Sequence, residues 1–100
     1  MKLVALMCVE EYVEDARKLL HEEKIQAYSE APMKGYRLNE DDESDNWFAP
    51  KHLLTNSHIF FTMCDNDTAD RFMKAIERCS LTKEKNSVHA FQVDIEKFIG

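Results

Sequence analysis

The stretch Leu3-Val4-Ala5-Leu6-Met7-Cys8-Val9 is apolar at every position. A short run without polar alternation reads as a strand buried on both faces, not as one stripe of a helix. His58-Ile59-Phe60-Phe61-Thr62-Met63-Cys64 has the same character. Behind each of these strands the period changes. Val13, Ala16, Leu19 and Leu20 share one helical stripe over Val13 to Glu23, with Glu14, Asp15, Arg17, Lys18 and Glu22 on the other side. Acids begin this helix, and Lys18 and His21 come late, which suits the helix dipole. Ala69, Phe72, Met73 and Ile76 repeat the three–four spacing in a helix running to Cys79, with Asn66 or Asp67 as its N-cap. Gln26 to Met33 reads as an extended segment placed at a sheet edge by Pro32. Val88 to Ile95 reads as a last strand.

The expected order is strand, helix, strand, long loop, strand, helix, strand. This is an α+β fold of ferredoxin-like βαββαβ type, a two-layer sandwich formed as one domain over residues 1–100. Right-handed crossovers put the first and third strands at the centre of the sheet and both helices on one face. The other face is then the difficulty. Leu3, Ala5, Met7 and Val9 alternate with Val4, Leu6 and Cys8, so both sides of the first strand are apolar. An uncovered face of that kind is a sticky patch, and self-association is expected.

Composition narrows the function. The chain has 100 residues, 44% hydrophobic and 32% charged, with a net charge of −6. That excludes a disordered chain, a collagen-like repeat and a disulfide miniprotein. The sign opposes generic nucleic-acid binding, and no apolar run approaches the ~20 residues of a membrane span. The charge is concentrated. Glu40, Asp41, Asp42, Glu43 and Asp45 account for five of the 19 acids, leaving 14 acids against 13 bases elsewhere. They lie in a loop expected from about Gly35 to Thr55, long enough to suggest function or disorder. Cys8, Cys64 and Cys79 cannot all pair, which favours a reducing, cytoplasmic setting. The opening Met-Lys-Leu-Val-Ala-Leu-Met-Cys is superficially like a lipoprotein signal. Large Leu6 and Met7 before Cys8, and Glu10-Glu11 so soon after, favour a native strand.

The residues also carry a resemblance that covers nearly the whole chain. "AYSEAPMKGYR" (Ala27 to Arg37) is similar to the entry into the flexible T-loop of PII-like signalling proteins. "SHIFFTMCDNDTADRFMKAIERC" (Ser57 to Cys79) resembles that family's third strand, acidic turn and second helix. "SVHAFQVDIEKFI" (Ser87 to Ile99) resembles its last strand, with Val93-Asp94 matching part of a Pro-Val-Glu-like turn and Gln92 replacing the proline. "NWFAP" (Asn46 to Pro50) is similar to a Trp-Pro element of a smaller branch linked with heavy-metal efflux. The resemblance implies a trimer with inward-facing sheets and no catalytic activity. It also implies a small ligand bound in clefts between subunits and a long loop that contacts a transporter, enzyme or regulator. One departure is chemical. The family's ATP- or ADP-binding connection is rich in Gly and Lys, whereas Leu81-Thr82-Lys83-Glu84-Lys85-Asn86 has no glycine, so classical nucleotide binding is not expected. Tyr36 lacks an obvious modification context, and nucleotidylation is not carried over.

Three groups of residues are candidates for function. With the first strand antiparallel to the third and fourth, Cys8 should lie near His58 and His89, a thiolate and two imidazoles suited to Zn or Cu. The competing reading makes Cys8 a small core residue and puts His89 on a strand face with Phe91, Val93 and Ile95. The acidic run is not an EF-hand: counted from Asp41, the turn glycine would be Asn46 and the closing Glu would be His52. Tyr36, Trp47 and Phe48 are candidates for contact with a partner beside a solvated acidic loop. No Ser/His/Asp order, phosphate loop or zinc-protease helix is present, and buried cysteines are more often structural than activated, so an enzyme is not expected.

Overall fold

The structure, a computed structural model, describes residues 1–37, 52–79 and 88–100. It is an α+β arrangement of four antiparallel strands and two helices, compatible with a small ferredoxin-like sandwich. β1 (Lys2–Val9) passes through a 3-10 turn, Glu10–Tyr12, into α1 (Val13–Glu22). β2 (Ser29–Arg37), β3 (His52–Cys64), α2 (Asn66–Arg78) and β4 (Val88–Asp94) follow. The sheet runs β2-β3-β1-β4, so β2, which carries Pro32, is an edge strand and donates no ladder bond from that residue.

Local chemistry sets the helix ends. Asp65 caps α2 by accepting the Thr68 N–H at 2.7 Å, one residue before the expected caps Asn66 and Asp67. Its carboxyl is held below the usual range, chiefly by the hydrogen bond from Thr68. α1 ends in paired reverse bonds, Ile25 N–H to Leu20 O at 3.0 Å and Lys24 N–H to His21 O at 3.1 Å.

The hairpin of β2 and β3 is longer than the sequence suggests. The expected loop from Gly35 to Thr55 is shortened at both ends, because Gly35 pairs with Thr55, Tyr36 with Leu53 and Arg37 with His52. A bulge between Gly35 and Tyr36 shifts the register there. Of Leu53, Leu54 and Thr55 only the threonine favours a strand by itself, and their pairing depended on a partner strand that local reading ended at Met33. The acidic cluster Glu40 to Asp45, with Trp47, Phe48 and the 81–86 connection, lies outside the described residues.

Both helices lie on the same side of the sheet. Val4, Leu6 and Cys8 from β1, with Phe60 from β3, form one core with Ala16 and Leu20 of α1 and Ala69, Phe72 and Ile76 of α2. Each fully buried Leu or Phe contributes on the order of 1.5–3 kcal/mol. The alternate residues face the other way. Leu3 pairs with Met63 and Val93, Ala5 with Phe61 and Phe91, and Met7 with Ile59 and His89. Phe61, Met63, Phe91 and Val93 are 38–51% exposed there.

Candidate functional site

The end of the sheet where β1 stops and the β2–β3 segment leaves brings two of the three proposed donors together. Cys8 and His58 are cross-strand partners and therefore share the helix-covered face. His58 stacks on Phe60 with ring centroids 6.4 Å apart. Its Nδ1 is buried with no hydrogen-bond partner among the described residues. Pro32 stands opposite on β2 and supplies no N–H.

His89 does not join them. It pairs with Met7, on the open face, whereas Val88 is the β4 partner of Cys8. The set Cys8, His58 and His89 is thus divided between the two sides of the sheet within one chain. Among the described residues no group of three or more His, Cys, Asp or Glu side chains is placed to hold a metal ion. Cys8 is also a poor thiolate. Burial, reinforced by Asp15 and Glu30 and opposed by Arg17, pushes its thiol up to about 11. At neutral pH this burial favours the protonated thiol.

Beside this pair an ion cluster ties α1 to the edge strand. Arg17 places Nε 3.0 Å from Glu30 Oε2 and Nη2 2.7 Å from Glu30 Oε1, a forked pair, while Nη1 bonds Glu14. The hydrogen bond from Arg17 holds the Glu30 carboxyl below its ordinary range, with smaller help from the charge of His58. Arg17 is correspondingly pushed up. Sequence reading missed this link because the partners lie thirteen residues apart on different elements, outside any helical or strand period. Their opposite charges were visible, but proximity was not. Tyr36, the third partner-contact candidate, is 55% exposed near the end of β2, where the chain enters residues 38–51.

A different cleft opens at the opposite end of the sheet, with a volume of about 510 Å³. Thr62, Met63, Cys64 and Asp65 line one side, Lys24 to Ala27 another, and Thr68 and Arg71 of α2 complete it. Thr62 Oγ1 donates to Ala27 O at 2.6 Å, so this buried hydroxyl is satisfied. Burial, with the nearby Asp65 charge, raises the Cys64 thiol. No helix among the described residues is long and apolar enough to cross a membrane. No protein-family model matches this chain, and no curated protein matches it.

Proposed function

We propose that this chain is a PII-like regulatory protein with the ferredoxin-like βαββαβ fold, working as a cytoplasmic homotrimer without catalytic activity. A small ligand binds in clefts between its subunits. The segment between β2 and β3 contacts a target protein, such as a transporter or metal-efflux system, through Tyr36, Trp47 and Phe48. The observation that carries this reading is the open sheet face, on which Leu3, Met7, Ile59, Phe61, Met63, Phe91 and Val93 stand with no helix over them among the described residues. A patch of that composition is stable in water when a second copy covers it. Ligand binding between copies then shifts the population of loop conformations by its differential affinity for them. Sedimentation equilibrium tests the assembly: a trimer supports the reading, and a monomer at tens of micromolar removes it.

A second reading, Cu or Zn binding, draws on the cross-strand placement of Cys8 beside the unpartnered Nδ1 of His58. Stoichiometric zinc uptake that disappears in Cys8→Ser and in His58→Gln, yet persists in His89→Gln, supports it. Uptake unaffected by either of the first two variants rejects it.

A further inference from the structure

Lys24 occupies the left-handed backbone region at φ 58°, the only described non-glycine residue with a positive φ. It stands at the position after the α1 C-cap where glycine is the usual occupant, because a Cβ there carries a conformational cost. The surrounding bonds require this geometry, so the lysine is held in it by the fold. Its ammonium has no ion-pair or hydrogen-bond partner among the described residues. This lysine costs its own turn some stability, pairs with no described residue, and stands in the wall of a cleft.

Lys24 and Arg71 of α2 both line the 510 Å³ cleft. Arg71 is anchored, with Nη2 donating to Glu23 O at 2.7 Å and Nε 3.6 Å from Glu23 Oε2. Nη1 carries no bond among the described residues. Asp65 is the one acid in the lining, and its carboxylate already accepts the Thr68 N–H. The lining brings Lys24 and Arg71 together with Asp65, and Glu23 pairs with Arg71 beside it, so of the two cations Lys24 is the one that no described carboxylate pairs. Gln26 and the Thr68 side chain add polar groups beside the cations, and Ile25, Ala27 and Met63 add apolar surface.

We infer that this cleft is a binding site for a small phosphoester, with Lys24 and Arg71 holding the phosphate. A lysine acts on phosphate as a point charge and an arginine through directed N–H bonds, and the two roles are complementary. The volume suits a molecule of metabolite size. The site lies within one chain, so it goes beyond the intersubunit ligand of the regulatory reading and stands whether or not the protein is a trimer.

The test is a titration of the ¹⁵N-labelled full chain with inorganic phosphate and with glycerol 1-phosphate at constant ionic strength, followed by amide chemical shifts. Saturable shifts centred on Gln26, Thr68 and Arg71 are expected, tighter for the phosphoester than for phosphate. Lys24→Gly should weaken binding by roughly tenfold or more, and Lys24→Arg should retain it. The same Lys24→Gly variant should melt a few degrees higher, since glycine relieves the left-handed turn. A site used for binding at the expense of stability predicts both changes together. Shifts that stay linear in ligand, that centre elsewhere, or that are unchanged in Lys24→Gly overturn the assignment.

Discussion

Phe60 and Phe61 are adjacent in sequence and chemically identical, yet Phe60 is 1% exposed and Phe61 38%. The first faces two helices and the second faces none. The same division runs through the sheet: Val4, Leu6 and Cys8 are buried, while their neighbours Leu3 and Met7 are half-buried beside exposed Met63, Phe91 and Val93. Ala5 is covered although it lies on the open side, because it is small and stands between Phe61 and Phe91 on the flanking strands. Hydrophobicity alone therefore does not tell which face is the core. Among the described residues the chain supplies helices for one face and none for the other.

The contrast is broken most severely at Phe60. Phe60→Ala should cost about 3–5 kcal/mol in urea denaturation of dilute protein, because it opens a cavity beneath both helices. Phe61→Ala under the same dilute conditions should cost under about 1.5 kcal/mol. Its cost should grow with protein concentration if the open face is a subunit interface. Equal costs at all concentrations would mean that the two faces are equivalent.

A charge on the open side sharpens the comparison. Phe61→Asp combined with Phe91→Asp should reduce the sedimenting species to the 11.7 kDa monomer, with the far-ultraviolet circular dichroism preserved. An unchanged oligomer would place the interface elsewhere.

Smaller effects distinguish the titrating groups of the covered side. The Cys8 thiol titrates at about 11 in the folded chain against an ordinary 9.0, so the folded state favours its neutral form. Its contribution is complete below pH 9 and is lost as pH rises from 9 through 11. Stability should fall over that window, and the fall should be shallower in Cys8→Ala. A parallel curve in the variant would assign the alkaline loss to another group.

The sign reverses at Glu30. Arg17 depresses its carboxyl in the folded state, so this contribution is present above the unfolded carboxylate range and disappears on acidification. Glu30→Gln should flatten the acid limb of the stability curve slightly, since the pair is partly exposed and screened by salt. A steeper acid limb in the variant contradicts the pairing.

How far the sequence can be read differs by element. The seven-residue apolar run and the three–four spacing placed β1 and both helices to within one or two residues, because those patterns are local. The hairpin was less legible. β2 was read as Gln26 to Met33 and is Ser29–Arg37, and β3 begins six residues before the expected His58. Lys34, Gly35 and Asn56 look like loop residues until each has a strand opposite it. At the candidate site, the proximity of Cys8 and His58 follows from antiparallel order, whereas the separation of His89 follows from a register that no local signal specifies.

By itself, the sequence determined the order of strands and helices, the extent of β1 and both helices, and that both sides of the central strands are apolar. These properties follow from side-chain chemistry and its period along the chain. Only the tertiary structure decided which alternate residues meet the helices, since a one-residue slip would exchange the two faces. It also placed Arg17 on Glu30, separated His89 from Cys8, and put Lys24 and Arg71 in the lining of one cleft. Those relations join residues far apart in sequence, and only the packing of helices on a registered sheet brings them within reach.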